Sequence, residues 1–351
     1  MLKRFAFFLI AVLAVTDCFA QIGGENAYEF LMIPASARAA YMGGIYPSIQ
    51  DADLSLAYQN PSLLNKKMHH CISANQVFYP GNIETGMISY ARYHNRLRGM
   101  LNTGIQFLNT GHMVKYDESG TRLGEFSAYE YCFFAGYAYT YAGRYTFGAN
   151  TKLIYSQLDK NISVASCIDA GVTYSDTGHQ FTASIVLKNA GAPFKNYTKG
   201  VREKLPFDLE IGIRQRLKHT PFSFIITAHN FYRFNIRYDD PNAASTSTIF
   251  GTDSSQLKPK KYVFDKIARH FIIGTELYFG KYFNVGLSYN HLRRAELAFE
   301  SHKRLGGFSI GFGLHLRQMD IEYALAKYNA SGASNNLTLN IRPGSFGKKG
   351  K

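Results

Sequence analysis

Apolar and polar residues alternate along most of this chain. In "FDLEIGIRQRL", Phe207, Leu209, Ile211, Ile213 and Leu217 share one face, while Asp208, Glu210, Gly212, Arg214 and Arg216 share the other. The run "HFIIGTELYF" sets Phe271, Ile273, Leu277 and Phe279 against a face that includes His270, Gly274 and Glu276. "GFSIGFGLHL" does the same with Phe308, Ile310, Phe312, Leu314 and Leu316. A period of two is the mark of a β-strand with one apolar and one polar face. About fourteen such runs are expected, starting near residues 70, 84, 98, 127, 144, 163, 179, 207, 222, 269, 282, 305, 319 and 334. An even number lets an antiparallel sheet close on itself with both ends on one side, leaving no open edge.

The connections sort by parity. "HNRL", "TYAGR", "DTG", "KHTP", "GKY" and "RQM" are tight turns, and all fall on one side of the sheet. Segments 109–126, 190–206, 233–268 and 291–304 are long and fall on the other, although "PGNI" at 80–83 and "DKN" at 159–161 are short. Short turns opposite long loops characterise outer-membrane barrels. The face of Leu, Ile, Phe and Val then meets lipid, and the face mixing Gly, Ser, Asn, Thr and charges meets the lumen. Tyrosines at strand ends, as in "YEYCFFAGYAYTY" at 129–141, suit interfacial girdles. The expected fold is all-β: a 14-stranded antiparallel transmembrane outer-membrane barrel.

Two segments precede the strands. Lys3 and Arg4, an apolar stretch from Phe5 to Val15 and "CFA" at 18–20 read as a secretory signal peptide over 1–20. Residues 21–69 read as a partly helical plug, because fourteen strands enclose more room than wall side chains alone can fill. Pro34 is expected to open a short helix, "ASARAAYM", and Gly43-Gly44 to end it. Asp51 and Asp53 lead into a second turn that Asp53 can cap, and Asn60-Pro61 stops it. The barrel is assigned 70–342 and a basic tail 343–351.

Composition narrows the function classes. The formal net charge is +14, with no Trp among 25 Tyr and 27 Phe. Outside the leader the cysteines are Cys71, Cys132 and Cys167, an odd number that implies no disulfide framework. Nucleophile-elbow, phosphate-loop, H-E-x-x-H and paired C-x-x-C motifs are absent from the sequence, so no enzymatic activity and no cofactor are expected. His69, His70 and Cys71 are ligand types, but strand neighbours point to opposite faces, and no metal is assigned.

"GGENAYEFLMIPASARAAYMGG" followed by "DADLSLAYQNPSLL" resembles the N-terminal signature of the PorV/PorQ family. These are outer-membrane proteins of the type IX secretion system in the Bacteroidetes lineage, themselves distantly similar to FadL-type barrels. The signature residues here are Pro34, Arg38, Gly43, Gly44, Asp51, Asp53, Asn60 and Pro61. The resemblance implies a non-enzymatic component of a cell-surface attachment complex. It would anchor a PorZ-like surface protein beside PorU- and PorV-like members. The N-terminus would then be periplasmic and the long loops surface-exposed. The alternative is a FadL-type transporter of hydrophobic small molecules, although no apolar run is visible on the inward faces.

Two sets of residues are candidates for function. A lumen polar network is expected from Lys152, Asp208, Glu210, Arg214, Arg216, His229, Glu276, Asp320 and Glu322, with Arg38 bridging plug and wall. Contacts to lipopolysaccharide or an acidic partner are expected from loop cations. Lys195, Lys199, Arg202 and Lys204 form one group; Lys258, Lys260, Lys261 and Lys266 form a second; Arg293, Arg294, Lys303 and Arg304 form a third. Nucleic acid is not an expected partner of an exported chain.

Overall fold

The computed structural model describes residues 26–81, 83–201, 203–234, 236, 263–296, 306–329 and 332–343. The signal-peptide segment, Arg202, Lys258, Lys260, Lys261, Lys303, Arg304 and the tail from 344 lie outside them.

Alternation builds the wall. Strands β1 Cys71–Phe78, β2 Glu84–His94 and β3 Gly99–Asn109 form two hairpins. Two short strands, β4 Met113–Tyr116 and β5 Arg122–Phe126, pair only with each other in the following loop. The wall resumes with β6 Ala128–Tyr141, β7 Tyr145–Leu158, β8 Asn161–Asp176 and β9 Phe181–Lys195. It continues through β10 Asp208–Arg216, β11 Phe222–Ala228, β12 Phe271–Phe279, β13 Phe283–Asn290 and β14 Phe308–His315. β15 Met319–Asn329 and β16 Gly332–Ile341 complete it. Sequential strands pair antiparallel, and β1 pairs with β16 from Ile72↔Ile341 to Phe78↔Asn335, so fourteen strands close a barrel.

The faces divide as the pattern requires. Ile213, Ile273 and Ile310 are about half exposed on the outside, at 45%, 58% and 50%, while Glu210, Glu276 and Ser309 are buried within. No helix among the described residues is long and apolar enough to cross a membrane; the crossing elements are strands. Tyr139, Tyr141 and Tyr145 stand exposed at the strand ends beside the turn 142–144.

Inside the wall lies the plug. Its short helix α1 Ala37–Tyr41 is capped by Ser36, whose side chain accepts from the Ala39 amide, rather than being opened by Pro34. A hydroxyl cap satisfies a free amide of the first turn, which a proline three residues upstream cannot do. Gly43 and Gly44, with φ of 91° and 101°, end the helix in a conformation that side-chain-bearing residues avoid. Three single turns follow: Leu54–Tyr58 capped by Asp53, Pro61–Leu63 capped by Asn60, and Lys66–Met68 capped by Asn65. Each cap accepts from the amide two residues ahead.

The plug is packed, not tethered. Leu54, Leu56, Leu63 and Leu64 are fully buried, and each such side chain contributes about 1.5–3 kcal/mol. The glycines of the inward face explain how a backbone comes so close to the wall. The Tyr41 ring occupies the space where side chains at Gly286 and Gly311 would stand, and the Pro61–Ser62 peptide does so at Gly148. Tyr28, Phe30, Leu31 and Tyr58 of the plug meet Met87, Cys132, Phe134, Ile154, Ala165 and Cys167 of the wall in an apolar cluster. The inward face therefore does carry an apolar patch. It is assembled from one or two residues on each of several strands, so no single strand reveals it.

Candidate functional site

The strongest polar junction joins plug to wall. Helix α1 carries Arg38 inward, where its side chain is 1% exposed. Its Nε donates to Oε1 of Glu276 on β12 at 2.9 Å, and a terminal nitrogen donates to the other oxygen at 3.2 Å. The second terminal nitrogen donates to Asp51 at 2.5 Å and lies 3.8 Å from Asp53. Tyr278 donates to Glu276 at 2.5 Å and accepts from Arg38 at 3.2 Å. Tyr41 also donates to Glu276, at 3.3 Å. Burial alone would raise the Asp51 carboxyl, but the adjacent Arg38 guanidinium holds it below the usual carboxylate range. Asp53, buried and farther from that guanidinium, is raised by its burial.

The other lumen residues form separate pairs. Lys152 on β7 reaches Asp169 on β8 at 2.7 Å and donates to Asn189 at 3.0 Å, and its ammonium lies over the Tyr58 ring of the plug. Lys188 lies 3.8 Å from Glu210. Asp208 accepts from the amides of Leu209 and Asn230. His229 is buried at the long-loop end, its ring against Asn230. At the short-turn end, Asp320 accepts from both terminal nitrogens of Arg342, at 2.7 and 2.9 Å. Glu322 is fully buried, and neither of its oxygens has a hydrogen-bond partner among the described residues. The structure thus places Arg38, Arg214 and Glu276 together. Lys152 is in another group, Lys188 with Glu210 in a third, and Asp320 with Arg342 in a fourth.

Partners that sequence reasoning passed over are Asp169, Lys188, Asn189 and Tyr278. Asp169 sits on the polar face of β8 and was legible by alternation. Lys188 and Asn189 sit at an irregularity between Ile168 and Ala170 on the β8–β9 pairing, where strict alternation breaks. Both are buried, and Asn189 donates its amide to Asp169 at 2.8 Å. His69 and His70 precede β1, and His70 is left-handed with φ 56°, so their rings come 4.0 Å apart instead of pointing to opposite faces. No group of three metal-ligating side chains occurs among the described residues.

The barrel has cavities at both mouths. At the short-turn end, about 890 Å³ is bounded by Arg38, Arg214, Arg216, Tyr278, Lys281 and neighbours. Beside it, about 730 Å³ lies between Lys66, Tyr93, Arg98 and Tyr139. At the long-loop end, about 380 Å³ is lined by Met32, Ile33, Pro34, Tyr79, Ile83 and Leu108, with Glu29 and Arg293 as its charges. Two loop helices stand near that end: α2 Val263–Ala268 and α3 His291–Glu296. Asp265 of α2 accepts from Arg269 and pairs with the His291 ring of α3, each at 2.9 Å. Of the loop cations, Lys195, Lys199, Lys204 and Arg294 are exposed and Lys266 is half-buried. Arg293 turns inward instead, with its guanidinium beside Gly44.

This architecture defines an outer-membrane β-barrel. No family model matches the sequence, and no curated protein matches it. Among solved structures, the chain is similar to CymD, a monoaromatic hydrocarbon channel, with a TM-score of 0.51 and 11% identity over 88% of this chain and 97% of that one. A deltaS2S3 mutant of the monoaromatic hydrocarbon channel TodX matches with a TM-score of 0.50 and 10% identity, covering 87% and 96% of the two chains. A FadL homologue from Pseudomonas aeruginosa gives 0.46 and 10% over 89% and 99%. At about one identical residue in ten, the likeness establishes the fold.

Proposed function

We propose that this chain is a non-enzymatic, plugged outer-membrane barrel that anchors a surface protein of a type IX secretion attachment complex. The short turns would face the periplasm and the long loops the cell surface. The observation that carries this reading is the Arg38 junction. A buried guanidinium shared by wall and plug makes the plug a fixed stopper, which leaves the loops as the working surface. The N-terminal signature supports it from the sequence side. Docking would fall to the exposed loop cations, Lys195, Lys199 and Lys204 among them, facing an acidic partner or lipopolysaccharide. Deletion of the gene should release normally retained cargo from the cell surface, and affinity capture of the barrel should recover a surface protein. Normal retention in the deletion strain removes the reading.

A second reading has its own observations. The fold is similar to monoaromatic hydrocarbon channels, and the 380 Å³ apolar cavity at the long-loop mouth could seat a small hydrophobic molecule beside Arg293. The fold comparison speaks for this reading more than for the first. It requires the plug to move. Loss of hydrophobic-compound uptake with intact cargo retention in the same deletion strain would select it.

A further inference from the structure

The 890 Å³ cavity at the short-turn mouth is charged far out of balance. Seven cationic side chains line it against three carboxylates. The carboxylates are taken: Asp51 and Asp53 face Arg38, and Asp320 is held by Arg342. Arg214 donates to Ser223 and Tyr278. Three cations hold nothing. The charged ends of Arg216, Lys67 and Lys281 make no ion pair or hydrogen bond to any described residue. The Arg216 guanidinium carbon lies 4.2 Å from the centre of the Tyr278 ring, a cation–π contact that positions the group without using its N–H donors. A guanidinium held over a ring with its donor fork unengaged can take an oxyanion with two parallel hydrogen bonds. The rim of the same cavity is apolar and outward: Tyr282, Phe283 and Leu316 are exposed where the lipid-facing band ends.

Cations within and aromatic residues at the lip match an amphiphile with a phosphate head. We propose that this mouth binds the phosphate of an anionic phospholipid, with the head between Arg216, Lys281 and Lys67 and the acyl chains over Tyr282 and Phe283. The choice of the inner leaflet rests on the orientation given above. No readout below involves secretion, so either proposal can fail alone.

Full-length barrel in neutral detergent is offered mixed phosphatidylglycerol and phosphatidylcholine, and retained lipid is read by native mass spectrometry. Inorganic pyrophosphate is titrated in parallel by calorimetry. Selective retention of phosphatidylglycerol is expected, weakened on the order of tenfold in Arg216→Gln/Lys281→Gln. Arg216→Lys should restore charge but only part of the affinity, because it loses the fork. The heat-modifiable gel band confirms that each variant is folded. Pyrophosphate binding without lipid preference, lost in the double variant, keeps the phosphate site and overturns the lipid as its source. No preference in the wild type, or a preference unchanged by the double variant, overturns the proposal.

Discussion

Single side chains decide whether the plug and the wall are one body. Arg38→Gln takes from Glu276 its nearest buried guanidinium and leaves only Arg214 at 3.9 Å, and breaking a buried pair on one side costs about 3–5 kcal/mol. The transition from folded to heat-unfolded mobility should therefore move to lower temperature. Arg38→Gln combined with Glu276→Gln should lose less than the two single variants together, because the second change removes the carboxylate that the first leaves undercompensated. Unchanged melting of Arg38→Gln would show that the junction holds nothing. Gly286 tests the same body by shape. A methyl there would collide with the Tyr41 ring, and overpacking costs about 1–3 kcal/mol. Gly286→Ala should destabilise, and Tyr41→Ala in the same chain should make Gly286→Ala nearly neutral; equal losses in both backgrounds would refute the seat. At this scale the sequence was legible for Arg38, the lone charge of its short helix. It was not legible for Lys188 and Asn189, which an irregular pairing places inside.

Elements were read well where burial imposes a period. Thirteen of the fourteen wall strands start within two residues of the alternation's estimate and β14 starts three later, because lipid on one side and plug on the other constrain every second residue. The hairpin β4–β5 carries no such signal for the opposite reason: its residues are largely exposed on both faces, so nothing enforces alternation. Helices α2 and α3 have no buried residue and hence no apolar stripe to read. What ties those helices together is electrostatic. Burial raises the Asp265 carboxyl, but hydrogen bonds from His291 and Arg269 outweigh it and leave it below its ordinary value. A carboxylate depressed in the folded state contributes stability at pH values above its unfolded pKa, of about 3.9, and loses it as pH falls through the folded value. Protection of the α2–α3 amides from hydrogen exchange should hold at neutral pH and fall in acid below that range. Asp265→Asn should show the loss already at neutral pH, and protection indifferent to both changes would exclude the tie.

At the scale of the whole molecule, the two functional readings differ in one mechanical requirement. An anchor works with the plug fixed; a conduit works only if it moves. The Ala37 amide donates to the Thr338 hydroxyl at 2.7 Å, which brings plug and wall within reach of a crosslink. The native cysteines Cys71, Cys132 and Cys167 are buried and free, so a new pair can form its own bridge. In an Ala37→Cys/Thr338→Cys chain, oxidation pins α1 to β16. If the barrel is an anchor, cargo retention should be the same before and after oxidation, and reduction should change nothing. If it passes hydrophobic molecules around a moving plug, uptake should fall on oxidation and return on reduction. The burial of the plug leucines, at about 1.5–3 kcal/mol each, and the Arg38 junction both weigh against spontaneous movement of the entire plug. Passage would then have to skirt α1 locally, from the Met32–Pro34 cavity, and a bridge at residue 37 would hold in place the helix that follows that cavity in the chain.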